Sequence, residues 1–152
     1  MGTHFEGTES EINTLNAFIT LLRASESINN RLNRHLAEAG LTVSQFGVLE
    51  SIYHLGPLNQ RAIGEKLLKS GGNITMVIDN LEKSGYVTRE TDPKDRRAVL
   101  IHLTKKGKKM IAAFFPKHLK RIKNEFDVLT EEEKKTLAEL CKKIGLGKES
   151  NL

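Results

Sequence analysis

Apolar residues recur along this chain at helical spacing, interrupted once by two short runs of strand formers. Ile12, Leu15, Phe18, Ile19 and Leu22, then Ile28, Leu32 and Leu36, trace a single stripe that ends at Gly40 and predicts a helix over 11–40. The polar stretch 1–10 before it shows no periodicity and is expected to be a flexible tail. Thr42-Val43-Ser44-Gln45 has the form of a capping box, in which threonine and glutamine side chains satisfy each other's backbone N–H groups. The helix it opens runs through Phe46, Val48, Leu49 and Ile52 and stops before Gly56-Pro57. Asn59 can cap a third, short helix from Gln60 to Leu68, with Ile63 and Leu67 turned inward.

Ser70 is placed to cap a fourth helix, Gly71 to Ser84, on which Ile74, Val77, Ile78 and Leu81 share one face. Gly72, Asn73, Thr75 and Met76 fall away from that face within the first two turns. Gly85 supplies the left-handed stop. Val87–Thr91 and Ala98–Leu103 are rich in β-branched residues and read as strands. Between them Asp92-Pro93-Lys94-Asp95-Arg96-Arg97 reads as a turn with two adjacent guanidiniums at its tip. Two short helices so close in sequence form a helix-turn-helix. A helix with a free, small, polar N-terminal front, followed by an arginine-tipped hairpin, has the shape of a winged-helix reader of DNA.

Thr104 can cap a long helix through Met110, Ile111, Phe114, Phe115, Leu119, Ile122 and Phe126, in which Pro116 is expected to produce a kink. A second capping box, Thr130 to Glu133, opens a last helix with Leu137, Leu140, Cys141 and Ile144 as its stripe and Gly145 as its stop; 146–152 is expected to be a flexible tail. The fold class is therefore mainly α with a small β-hairpin wing. A winged helix-turn-helix core over 41–104 is flanked by N- and C-terminal helical regions, 11–40 and 105–145. Those regions hold more apolar residues than so small a chain covers alone, which predicts a two-fold dimer built from the first and last helices.

Charge sharpens the picture. The 152 residues carry a formal net charge of +5, yet Arg61–Lys109 alone holds twelve Lys or Arg against six Asp or Glu, so the rest of the chain sums to −1. A basic middle between near-neutral ends points to a polyanion contact there. Cys141, the single cysteine, rules out an internal disulfide and a cysteine-rich metal site; on its apolar stripe it reads as a buried structural thiol. The five histidines show no metal-ligand spacing, so no metal is expected. No apolar run reaches the roughly 20 residues of a membrane span, and the start lacks the order of a signal peptide, which predicts a cytoplasmic protein with no membrane partner. Nucleophile elbow, P-loop and dinucleotide-binding glycines are all missing, so no catalytic residue and no cofactor is expected.

Gly64-Glu65-Lys66-Leu67, Gly72-Asn73-Ile74-Thr75 and Ile78-Asp79-Asn80-Leu81-Glu82-Lys83 with Gly85 come in a telling order. They lead to Asp92-Pro93-Lys94-Asp95-Arg96-Arg97, then Leu103-Thr104 and Gly107. In order and spacing the sequence resembles the MarR family of bacterial transcription regulators, over Ile12 to Ile144. The resemblance implies a homodimer whose terminal helices form the dimer domain and whose two winged lobes read a palindromic operator in double-stranded DNA. It further implies a repressor, relieved by a small aromatic or anionic effector or by oxidation. Oxidation sensors of the family keep their reactive cysteine in the first helix, where this chain has none.

The second helix of a helix-turn-helix enters the major groove. Its candidate base readers are Asn73, which can pair bidentately with adenine, and Thr75 and Met76, whose methyls suit the thymine methyl. Ser70 and Gly72 would set the helix N-terminus against phosphate. Many family members carry Arg or Lys where this chain has Met76, so the departure favours an A·T-rich site. Arg96 and Arg97 are candidates for a narrow minor groove, with Asp95 bracing one of them; the resemblance assigns the insertion to Arg97. Lys69, Lys94, Lys105 and Lys106 are candidate phosphate partners. Two other readings stay open: an interaction or RNA-associated winged domain, and a redox sensor using Cys141.

Overall fold

A computed structural model of the chain describes residues 2–67 and 71–147, which divide into two compact units at 118/119. The first unit begins with α1 (Glu9–Glu38). This helix starts two residues before the predicted 11, because Thr8 and Glu11 form a capping box: the Thr8 N–H donates to the Glu11 carboxylate at 2.8 Å and the Glu11 N–H to the Thr8 hydroxyl at 3.3 Å. The segment ahead of it is also tied down, by the Thr3 N–H donating to Asn16 Oδ1 at 2.7 Å. The predicted box at Thr42 opens α2 (Val43–Leu55), with Gly56 at φ +82° as its stop. Asn59 caps α3 (Gln60–Leu67) through the Ala62 N–H at 2.8 Å.

The helix α4 (Gly71–Lys83) lays Ile74, Ile78 and Leu81 into the core, each at most 1% exposed, as its periodicity predicted. They meet Val48, Leu49 and Ile52 of α2, Ile63 of α3 and Ile111 further on. Full burial of one such side chain contributes about 1.5–3 kcal/mol, so this cluster carries the orientation of α3 and α4. Gly85, at φ +75°, turns the chain from α4 into the sheet.

Two features of the sheet depart from the sequence reading. Leu58–Asn59 forms β1, a two-residue strand antiparallel to β3 (Asp95–Leu103), giving the order β1-β3-β2 with β2 at Val87–Asp92. Two residues cannot show alternation, so nothing in their pattern announced a strand. The hairpin turn is also tighter than predicted. Asp92 pairs with Asp95, leaving only Pro93-Lys94 at the tip. Arg96 and Arg97 therefore belong to β3 and not to the tip. The next pair is Thr91 with Val99, so Arg96, Arg97 and Ala98 have no counterpart on β2 and form a bulge.

The helix α5 (Lys105–Phe126) leaves β3 with Thr104 as its cap, the hydroxyl accepting from the Gly107 N–H at 3.0 Å and donating to the Gly85 carbonyl at 2.6 Å. Pro116 lies inside this helix. Where α1, α2 and α5 meet, His35, Phe114 and His118 stack with ring centroids 4.8–5.8 Å apart, and Phe46 packs against Phe114 and His118. His35 is buried with neither ring nitrogen hydrogen-bonded among the described residues; Glu38 comes only to 3.7 Å.

The second unit holds the end of α5 and α6 (Glu131–Leu146), which the predicted Thr130–Glu133 box opens. The last helix passes the expected stop at Gly145 and ends at Gly147, φ +63°. Ile122 and Phe126 with Leu137, Ala138 and Cys141 line an apolar groove. The thiol of Cys141, expected in a core, is exposed, because no residue of α6 is buried among the described residues.

Candidate nucleic-acid interface

The candidate interface is built on α4, whose inner face is fixed by the core and whose front is consequently left outward. Gly72, Asn73, Thr75 and Met76 are all exposed, Met76 to 60%. A Cβ added at Gly71 or Gly72 would meet nothing within 4 Å, so no packing inside the chain demands glycine there. That openness lets a backbone approach phosphate closely. Lys69 and Ser70 lie outside the described residues.

Thr75 differs from its neighbours in one respect that the sequence reading missed. Its hydroxyl donates to the Gly71 carbonyl at 3.0 Å and accepts from Gln60 Nε2 of α3. The hydroxyl thus ties the two helices of the helix-turn-helix together. Asn73, by contrast, keeps its amide free of any partner among the described residues.

On the wing, Arg96 and Arg97 are exposed and neither guanidinium has an acidic partner among the described residues. Asp95 does not brace a guanidinium as expected; its carboxylate accepts from the Arg97 backbone N–H at 3.0 Å and so shapes the bulge. Asp92 does the same for the Lys94 N–H at 2.9 Å, fixing the turn and leaving the Lys94 side chain exposed. Lys105 is exposed at the start of α5. Lys106 is used elsewhere: its ammonium donates to the Ser84 carbonyl at 2.7 Å and lies 4.8 Å from the Tyr86 ring centroid, which caps the C-terminal end of α4.

One link between helix and wing went unread in the sequence. Arg89 of β2 forks onto α4, with Nη2 at 2.5 Å from Asp79 Oδ1 and Nη1 at 2.5 Å from Glu82 Oε2. Burial opposes its charge, but the hydrogen bonds to Asp79 and Glu82 and the attraction of both carboxylates together outweigh that effect and raise its pKa above the ordinary arginine value. Both carboxylates are more than 40% exposed, so each pair contributes about 1 kcal/mol or less to stability. The signal was present in principle: Asp79 and Glu82 stand three residues apart, one face of a helix, shortly before a glycine stop and an arginine.

Comparison with known proteins agrees with this arrangement. The MarR family model matches residues 41–99. The HTH-type transcriptional regulator MhqR of Bacillus subtilis is 39% identical over 133 residues, which cover 88% of this chain and 92% of that protein. Among solved structures, Sco3205, a MarR family transcriptional regulator from Streptomyces coelicolor in complex with DNA, has a TM-score of 0.83 at 23% identity, over 95% of this chain and 91% of that one. CouR from Rhodococcus jostii RHA1, bound to p-coumaroyl-CoA, has a TM-score of 0.81 at 22% identity, over 87% of this chain and 93% of that one. At such identities the two structures speak to the fold, which is that of a winged helix-turn-helix.

Proposed function

The chain belongs to the MarR family of DNA-binding transcriptional regulators, and from that membership we propose that it is a ligand-responsive repressor acting as a cytoplasmic homodimer on a palindromic operator. The observation that carries this reading is the pairing of two exposed features in one unit: the front of α4, with Asn73 and Met76, and Arg96 and Arg97 on the β3 bulge, which have no acidic partner among the described residues. The first suits base edges in a major groove and the second a neighbouring minor groove. Gly72 and Ser70 would set α4 against phosphate, with Lys69, Lys94 and Lys105 adding counter-charge. Lys106, tied to Ser84, is left out of that set.

Dimerisation is supported by the apolar residues that the chain leaves open on α1, where Phe18 is 56% and Leu22 52% exposed, and on α6, where Leu140 and Ile144 are 54% and 64% exposed. In this proposal 11–40 and 105–145 pair two chains and 41–104 reads DNA. Two recognition helices must then stand about 34 Å apart to enter successive major grooves. An effector that binds one spacing better than another shifts the population and releases the operator. A small aromatic or anionic compound fits the proposal, in keeping with the p-coumaroyl-CoA held by CouR.

The test is an anisotropy titration of the full chain with duplexes from its own upstream region and with scrambled duplexes, at two salt concentrations. Saturable binding that prefers one palindromic segment by about 1,000-fold or more at fixed salt supports the reading. Equal affinity for the scrambled duplex, or none for either, overturns it. Light scattering that shows a monomer at micromolar concentration removes the dimer.

A further inference from the structure

Arg89 sits midway along the hairpin ladder, opposite Ile101, while the arginine bulge lies beyond the Thr91–Val99 pair. The guanidinium that links wing and recognition helix is therefore set back from the residues that would touch DNA. Its two carboxylate partners, Asp79 and Glu82, are three residues apart on α4, so a planar fork engages the helix at two points and resists rotation about either one. One ion pair would act as a pivot, whereas two act as a bracket. Asp79 and Glu82 also add negative charge to a helix that has to approach phosphate, and the same guanidinium offsets part of it.

We infer that Arg89 is a positioning residue for DNA binding: its fork onto Asp79 and Glu82 sets the angle between α4 and the wing, so that Arg97 reaches the duplex when the front of α4 is seated. The inference rests on the reading of α4 and the wing given above. It assigns Arg89 no contact with DNA. Arginine is needed here in place of lysine, since a single ammonium cannot hold both carboxylates in a fixed plane.

A double-mutant cycle tests it, with the duplex footprinted from the chain's own upstream region as probe. Four full-length proteins are compared: wild type, Arg89→Gln, Arg97→Ala and the double variant. In the wild-type background Arg97→Ala is expected to weaken binding about tenfold; with Arg89→Gln already present it should weaken binding by less than about twofold. Arg89→Lys should behave as Arg89→Gln does. An equal cost of Arg97→Ala in both backgrounds overturns the inference and leaves the wing reading standing, because a residue that merely stabilises the fold does not couple to Arg97. No cost in either background removes the wing reading and the inference with it. Should Arg89→Gln fail to fold, the same cycle built on Asp79→Asn with Glu82→Gln breaks the fork from the helix side, and the coupling to Arg97 decides as before.

Discussion

Gly107 packs so closely on the backbone of Tyr86 that a Cβ there would overlap the Tyr86 carbonyl oxygen and lie 2.9 Å from its carbon. The same carbonyl accepts from the Thr104 N–H at 3.0 Å, so the joint between α4, the wing and α5 has no slack. Gly107→Ala should lower stability by about 1–3 kcal/mol, read as an earlier urea midpoint at unchanged slope. A midpoint equal to that of wild type would show that the joint can open without loss.

Thr75 offers a way to separate holding from reading. Thr75→Val keeps both branches at Cβ but gives up the hydroxyl that receives Gln60 and reaches Gly71. It should cost about 0.5–1.5 kcal/mol in stability and leave operator affinity per folded molecule within about twofold. A large loss of affinity at unchanged stability would mean that the hydroxyl itself reads a base.

Met76 presents the opposite case, with 60% of its surface open and no place in the core. Met76→Ala should leave stability within about 0.5 kcal/mol. Operator binding, measured by anisotropy, should fall several-fold, and most at the A·T steps of the footprint. Binding that is unaffected at every sequence would remove Met76 from the interface.

Among the described residues, His35 is buried with neither of its nitrogens hydrogen-bonded, between Phe114 and His118. A buried polar group without partners costs stability, so a flat apolar ring in its place should be better tolerated than the native side chain. His35→Phe is expected to raise the thermal midpoint, with a gain of about 1 kcal/mol. A lowered midpoint would show that the imidazole is satisfied in solution.

The first turn of α1 should respond to acid. The Thr8 N–H and then the Thr8 hydroxyl, both donating to Glu11, hold its carboxyl below the ordinary value of 4.5. A carboxyl depressed in this way stabilises the turn fully above the ordinary carboxylate range and loses that effect as pH falls through the depressed value. The Thr8 amide resonance should therefore hold steady through the ordinary carboxylate range and move only as pH falls below it, and Glu11→Gln should abolish the movement. A resonance that titrates identically in the variant would place the cause elsewhere.

What the sequence made legible is the part of the structure that depends on local chemistry. Helical stripes, the boxes at Thr42 and Thr130, and the stop at Gly85 lie where propensity and capping put them. The box at Thr8–Glu11 was equally readable and was obscured by the polar stretch around it. Less legible was whatever depends on a distant partner. The strand at Leu58–Asn59 exists because Leu100 and Ile101 pair with it, not because its own residues require it. Arg96 and Arg97 were expected at a six-residue turn, whereas the pairing of Asp92 with Asp95 closes the hairpin early and moves them onto a bulge. The stripe of α6 predicted an apolar face for Cys141 correctly, but periodicity cannot say whether the same chain covers that face. Of the proposed DNA-contacting set, outward placement followed from which face of α4 is apolar. The side-chain ties of Thr75 and Lys106 did not, since their partners are 15 and 22 residues away.

The short reach of β1 has one more effect. It covers β3 only at Leu100 and Ile101, so on that side the backbone from Asp95 to Val99 faces no neighbouring strand among the described residues. An open border of this kind invites another chain to add itself and propagate. Charge is a common guard against that, because two like-charged ribbons repel before their amides can meet. Arg96 and Arg97 stand on this open border, so their like charges oppose edge-to-edge pairing with a second copy even when no nucleic acid is near.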